Sequence, residues 1–254
     1  MSISENKNKL SVIVPLFNEE ENVVLFYRKL KDSLVRLPLS HEIIFVDDGS
    51  TDKTYQLLNG LKTAGEKIMV IKFIRNFGQS AAFAAGFDAA SGDFAVTIDG
   101  DLQCNPQDIV LLLGVLQQGA DVVCSRRQTK NPYLLSKRMP SIMANFFGVC
   151  MFNLKVHDFS CSFRGYSKAF YKKVFLADGF HRFVPVLAKF QGMSIGEVKI
   201  SWADREKGSS KYNSSRFPKV IKDAILLKIT ELFFNKSCKC LFKQAHFVIG
   251  TVLT

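Results

Sequence analysis

Only one tryptophan stands among the 254 residues, zinc-finger spacing is absent, and there is no arginine-rich arm. Nucleic acid is therefore not favoured as the partner of this basic chain. No apolar run approaches the roughly 20 residues a membrane-spanning helix needs. The chain does stop in Phe247-Val248-Ile249-Gly250-Thr251-Val252-Leu253, which looks like an apolar segment cut short. No secretory signal is expected either, because the polar N-terminus runs straight into strand-like sequence. The six cysteines (Cys104, Cys124, Cys150, Cys161, Cys238 and Cys240) are scattered, as expected of reduced thiols. Cys238 and Cys240 alone are too few ligands for a structural zinc site. No Gly-x-Gly-x-x-Gly follows the first strand and no Gly-Lys-Ser/Thr loop occurs, so neither dinucleotide nor P-loop phosphate binding is encoded. Internal repeats and low-complexity tracts are absent.

What is present is a 47% hydrophobic chain with net charge +11, enough to bury one large core. The charge is uneven: residues 201–254 hold ten Lys/Arg against four Asp/Glu, a net +6 in about a fifth of the length. Such a balance suits a membrane surface or phosphorylated ligands. Apolar strands alternate with amphipathic helices, the pattern of a mostly parallel α/β sheet. Strands are expected at 10–14, 42–46, 68–74, 94–98 and 120–124. Helices are expected at 19–37, with acidic residues in its first turn, at 78–90, whose small residues suit close packing, and at 106–118, with Pro106 near its start. Ser50 or Thr51 is expected to cap the helix after the second strand. Beyond residue 130 the rhythm loosens: 141–154 reads as an apolar helix, 163–166 and 195–202 as strands, and 217–234 as a basic helix with an apolar face.

The richest stretch is Val96-Thr97-Ile98-Asp99-Gly100-Asp101-Leu102-Gln103. A buried strand ends in two carboxylates one residue apart, at the edge where open α/β sheets collect ligands. Paired carboxylates repel unless a cation lies between them, and Mg²⁺ or Mn²⁺ suits that chemistry. Asp-x-Asp also occurs in plain polar turns, with the second carboxylate capping a helix. Two more acidic loops, Asn18-Glu19 and Asp47-Asp48, leave strands at the same edge. One such carboxylate can accept from a base N–H or a ribose hydroxyl while the pair holds a metal against a diphosphate.

The ordered motifs are Val14-Pro15-Leu16-Phe17-Asn18-Glu19-Glu20, Val46-Asp47-Asp48-Gly49-Ser50-Thr51-Asp52, Arg75-Asn76-Phe77-Gly78-Gln79, Asp99-Gly100-Asp101-Leu102-Gln103, His157 to Tyr166, and Arg205 to Tyr212. This set, spread over about residues 10–235, resembles the family 2 glycosyltransferases, and within them the polyprenyl-phosphate branch. The resemblance implies an α/β fold of the glycosyltransferase A type, a mixed, mostly parallel sheet flanked by helices. It implies a catalytic domain over 1–215, with a nucleotide-binding half to about 100 and an acceptor half beyond, then a membrane-apposed tail over 216–254, truncated before spanning helices or naturally monotopic.

Activity and site follow from the same resemblance. The reaction implied is inverting, metal-dependent transfer of a sugar from a nucleotide-diphospho-sugar to a polyprenyl phosphate, at the cytoplasmic face of a membrane with anionic lipid. Pro15, Phe17, Glu19, Asp47, Asp48 and Asn76 would line the nucleotide pocket with Asp99 and Gly100. Asp99, Asp101 and Gln103 would hold Mg²⁺ or Mn²⁺. Arg126, Arg205 and Lys211 would sit on phosphates, as guanidinium forks and lysine suit phosphate oxygens, whereas Arg127 and Lys130 read as surface charge. The family often has Tyr at the position of Phe17 and Ala at that of Gly100, the latter a change that should be harmless. Asp158 is either a base for a hydroxyl acceptor or a residue that orients the acceptor, holds Arg164 or places the metal. A lipid phosphate, with a second ionisation near pH ~6, scarcely needs a base. Transfer to a glycan hydroxyl, with Asp158 as base, is the alternative reading, and a non-catalytic sugar-nucleotide sensor is a third. His157 reads as a packing residue and Cys161 as core.

Overall fold

The computed structural model describes residues 8–128, 150–203 and 222–229. Seven strands form one sheet in the order β3-β2-β1-β4-β6-β5-β7. They are β1 (Lys9–Leu16), β2 (Ser40–Asp47), β3 (Ile68–Lys72), β4 (Phe94–Thr97), β5 (Val122–Gln128), β6 (Arg164–Ser167) and β7 (Ile195–Ser201). Every pairing is parallel except those of β6, which runs antiparallel between β4 and β5. That one reversal matters for function. The entry to β6 lies at the same edge as the exits of the other six strands, so residues 158–163 join the acidic loops there.

Side-chain alternation along the strands divides the core in two. Ile13, Ile44, Val46, Val122 and Cys124 face one layer with Phe83, Phe87, Tyr166, Phe170 and Phe183. Val12, Val14, Ile43, Phe45 and Val123 face the other, with Phe26, Leu30, Leu58 and Leu112. The second layer is built from helices α1 (Val23–Leu34), α2 (Thr54–Thr63) and α4 (Ile109–Gln117); the first includes α3 (Gln79–Ala89), α5 (Lys168–Tyr171) and α6 (Val184–Phe190). On α1, Val23, Phe26, Tyr27, Leu30 and Leu34 are buried at helical spacing. Full burial of one such aliphatic or Phe side chain contributes about 1.5–3 kcal/mol. α3 lies especially close: a Cβ at Gly86 would come 2.3 Å from Ile13 Cγ2.

Two local expectations fail. The acidic residues Glu19, Glu20 and Glu21 precede α1 instead of forming its first turn, which contains none. Asn18 takes a left-handed φ of 52°, spending those residues on a turn, and the helix starts at Val23. Ser50 and Thr51 do not cap α2. Ser50 Oγ accepts from Asn18 N at 2.9 Å and Thr51 N donates to Asn18 Oδ1 at 2.8 Å, so both tie the second loop to the first. Pro106 begins a 3-10 turn, Pro106–Asp108, before α4, and the Asn105 side chain accepts from Gln107 N. Of the later expectations, 150–152 and 222–229 are helical, Asn153 and Leu154 are not, because Asn153 takes a left-handed φ of 47° that ends the helix, and 141–149, 217–221 and 230–234 lie outside the described residues.

Candidate active site

The exits of β1 and β2 are laced together. Beyond the Asn18 bonds, Glu19 N donates to Thr54 Oγ1 at 2.8 Å, and Glu20 N donates to Asp52 Oδ2 at 3.1 Å. Glu19 Oε2 accepts from Asn22 at 2.7 Å. Pro15 and Phe17 are half-buried at this exit. Asp47, the last residue of β2, is fully buried. Its Oδ1 accepts from Ser50 N at 3.2 Å, and its Oδ2 has no partner among the described residues. A buried carboxylate oxygen left so carries an unmet acceptor, which an incoming N–H or hydroxyl would satisfy.

Asp48 has a different task. It is 4% exposed and takes the N–H groups of Phe77 (2.7 Å) and Gly78 (2.9 Å). Burial pushes its carboxyl above its ordinary value, against the pull of those two bonds. Gly78 has φ 93° and leads into α3, so Asp48 anchors the β3–α3 loop. Asn76 in that loop is exposed.

At the exit of β4, Asp99 Oδ1 accepts from Gln79 Nε2 at 2.8 Å and Oδ2 accepts from Ser162 Oγ. Asp101, 7% exposed, accepts from Gln103 N at 3.1 Å. An amide, a hydroxyl and a backbone N–H are thus among the groups that orient these carboxylates. Two carboxylates one residue apart, with the Gln103 amide two further on, form a hard oxygen set that fits Mg²⁺ or Mn²⁺. Gly100 is buried, and a Cβ there would come 2.3 Å from Leu16 Cδ2. An Ala at this position would require only that methyl, the far end of a flexible side chain, to turn away. The loop is also latched from the chain just beyond β7, where Ala203 N donates to Gln103 O at 3.0 Å.

Asp158 does not hold Arg164. It is 2% exposed and bound by Arg127, with Nε to Oδ2 at 2.7 Å and Nη2 to Oδ1 at 2.9 Å. Arg127 Nη2 also donates to Ser160 Oγ at 2.9 Å. Arg127 is accordingly no surface charge. Arg164 lies fully buried on β6 and donates to the carbonyls of His181 (2.6 Å) and Phe159 (2.5 Å), pinning the segment that carries Asp158. Arg126, one residue before Arg127, is half-buried with no ion-pair partner among the described residues. His157 is exposed, not packed, and its Nδ1 lies 2.6 Å from Glu197. Cys161 is buried as expected. Arg205, Lys211 and Lys130 lie outside the described residues.

The structure therefore brings Asp47, Asp48, Asp99, Asp101, Gln103 and Asp158 to one sheet edge. Gln79, Ser162, Thr54 and the Arg127–Asp158 pair were not legible as site residues in the sequence. A Gln opening a helix after an Arg-Asn-Phe-Gly turn was the one available signal for Gln79.

A mixed, mostly parallel sheet with acidic loops along its carboxyl edge is the glycosyltransferase A-type fold. Solved structures of glucosyl-3-phosphoglycerate synthase from Mycobacterium tuberculosis superpose with this arrangement. One, in complex with Mn²⁺, uridine diphosphate and phosphoglyceric acid, has a TM-score of 0.67 at 18% identity, covering 87% of this chain and 78% of that one. Residues 11–175 match the sequence profile of Glycosyl transferase family 2, and the chain belongs to that family. A dodecaprenyl-phosphate galacturonate synthase of Rhizobium johnstonii is 37% identical over 223 residues, 85% of this chain and 65% of that protein. An undecaprenyl-phosphate 4-deoxy-4-formamido-L-arabinose transferase of Pseudomonas aeruginosa is 31% identical over 222 residues, 87% and 65% respectively. The chain thus spans just under two thirds of the length of these relatives.

Proposed function

We propose that this protein transfers a sugar from a nucleotide-diphospho-sugar to a polyprenyl phosphate, with inversion at the anomeric carbon. The reading rests on the 37% identity, across 85% of this chain, to a relative named for making a polyprenyl-phosphate sugar. In it, the buried Asp47 takes a base N–H or ribose hydroxyl on its open oxygen. Arg126, with Arg205 and Lys211, holds phosphate oxygens. Mg²⁺ or Mn²⁺ held by Asp99, Asp101 and Gln103 would neutralise charge on the departing nucleoside diphosphate. An acceptor phosphate oxygen forms the new bond to the anomeric carbon from the face opposite the leaving group. The bond from that carbon to the β-phosphate oxygen breaks, and its electron pair leaves with the nucleoside diphosphate.

Transfer to a glycan hydroxyl would need a base, and Asp158 is poorly disposed for that work. Its two oxygens already accept the Arg127 fork and the Arg127 N–H. A phosphate acceptor is already anionic at neutral pH and needs no proton removed. This supports the lipid-phosphate reading, with the Arg127–Asp158 pair shaping the acceptor side.

Helix 222–229 supports a membrane surface as the place of work. Lys222, Ile225, Leu226 and Ile229 are exposed on it while Asp223 and Leu227 are buried. Among the described residues, no helix is long and apolar enough to cross a membrane.

The test supplies the full chain with a panel of nucleotide sugars, Mn²⁺ and undecaprenyl phosphate in detergent, and measures nucleoside diphosphate release. Release is expected only with lipid phosphate present, and Asp99→Ala or Asp101→Ala should lower it by at least about 100-fold with the fold intact. Release driven by a glycan acceptor, or binding without any release, would overturn the reading.

A further inference from the structure

Arg164 is only 1% exposed, and no carboxylate pairs with it among the described residues. Its partners are backbone carbonyls. Nη1 donates to His181 O at 2.6 Å, and Nη2 donates to Phe159 O at 2.5 Å and to Arg182 O at 3.4 Å. Its Nε has no hydrogen-bond partner. Taking a cation out of water with no anion beside it is costly. Apolar side chains of similar volume often replace buried charge without loss of stability. Stability alone therefore does not account for a guanidinium here. What it supplies is geometry, a planar fork that reaches two stretches of backbone distant in sequence.

Those two stretches join the acceptor side of the site to the nucleotide side. Phe159 follows Asp158 in the segment that enters β6. That segment is also tied to β4, where Thr97 Oγ1 donates to Ser162 O at 2.6 Å. His181 belongs to the 3-10 turn Phe180–Phe183. Its N donates to Ser80 Oγ at 3.2 Å, and its Nδ1 lies 2.8 Å from the same oxygen. Ser80 stands in the first turn of α3, and Asp48 holds the loop before that helix. His181 is thus grasped at its carbonyl from β6 and at its N–H from α3. Ser80, Thr97 and Arg164 are all buried, so water does not compete for these bonds.

We infer that Arg164 is a positioning residue which, with Ser80 and Thr97, fixes the segment 158–163 against the nucleotide-binding half. The acceptor phosphate then meets the anomeric carbon at the distance and angle that transfer needs. The inference rests on the reading of transfer to a lipid phosphate and deepens it. All three side chains lie buried and act through the backbone they hold. Misplacing a reacting group by about 1 Å costs on the order of 100-fold in rate. That loss falls on the step joining donor to acceptor. Nucleotide binding is spared, because the exits of β1 and β2 are laced by bonds of their own.

Nucleoside diphosphate release by the full chain is measured with undecaprenyl phosphate in detergent, Mn²⁺ and the nucleotide sugar the parent uses. Binding of UDP or GDP is measured separately by calorimetry, which needs no turnover. Thr97→Val and Ser80→Ala remove hydroxyls with little change of shape, and Arg164→Met keeps the stem without the fork. Each should lower kcat about 10–100-fold while nucleoside diphosphate binding stays within about threefold of the parent. Arg164→Lys keeps the charge but cannot span both carbonyls, so its kcat should fall like that of Arg164→Met. A parent-like Arg164→Lys would overturn the inference, as would nucleotide binding lost in step with kcat. A role in stability alone leaves kcat parent-like in every variant that folds, as read by circular dichroism. That result in Thr97→Val and Ser80→Ala would overturn the inference even if no Arg164 variant folds. A parent chain that releases no nucleoside diphosphate with lipid phosphate would overturn the functional reading and this inference with it.

Discussion

Asp47 and Asp48 are neighbours in sequence with opposite assignments. Asp48 spends its oxygens on the β3–α3 loop, whereas Asp47 keeps Oδ2 open. A contact to base or ribose is made equally in the ground and transition states. Asp47→Ala should therefore raise KM for the sugar nucleotide by about tenfold, the worth of a charge-assisted hydrogen bond of about 1.5 kcal/mol, with kcat little changed. A collapsed kcat at normal KM would contradict the assignment. The Arg127–Asp158 pair makes a second residue-scale case. Asp158 is nearly inaccessible, so Arg127→Met strands a buried charge and should cost about 3 kcal/mol in urea unfolding. Adding Asp158→Leu removes that charge and should recover much of the loss. A double variant as unstable as the sum of its parts would show that packing, not charge, holds this segment.

The elements are held together away from the active edge as well. Glu42, on β2, accepts from Lys9 Nζ at 2.7 Å and Ser11 Oγ at 2.6 Å on β1, and from Ser91 N at 2.7 Å ahead of β4. Burial alone would raise its carboxyl, but these bonds outweigh burial and hold it down at about 2. A carboxyl whose pKa is depressed by folding contributes stability that is present above its unfolded value, about 4.3. That contribution is lost as pH falls towards the folded value. The parent should lose its advantage over Glu42→Gln across the window from about pH 4.3 to pH 2, measured as the gap between urea midpoints. A gap independent of pH would mean that the bonds to Glu42 do not depend on its charge.

At the scale of the whole molecule, catalysis at a lipid surface needs adhesion as well as a site. The 222–229 helix turns Ile225, Leu226 and Ile229 outward beside Lys222, within a segment that also carries Lys219, Lys228, Lys236, Lys239 and Lys243. Each basic residue near an anionic bilayer contributes about 1 kcal/mol at most, and salt screens it. Flotation of the full chain with liposomes containing anionic lipid should fall as salt rises without vanishing, because apolar burial is not screened. A chain that stays with the soluble fraction at low salt would remove the membrane from the reading.

The alternation of strands and helices, the acidic strand ends and the ordered motifs were legible in sequence because each depends on neighbours a few residues apart. Hydrophobic period and carboxylate spacing are local quantities, and they pointed to the mostly parallel sheet, its carboxyl edge and the candidate carboxylates at 47, 48, 99 and 101, whereas Asp158 was a candidate only through the family resemblance. Helix starts were less legible, since Asn18 and Ser50 bond to each other's loops across 32 residues instead of serving their own helices. Only the tertiary structure decided which charge meets which. Reversal of β6 between β4 and β5 delivers Ser162 to Asp99, and Arg127 rather than Arg164 to Asp158. The reason is physical: a buried carboxylate takes the donors that chain topology brings within 3 Å, and sequence distance does not encode that proximity.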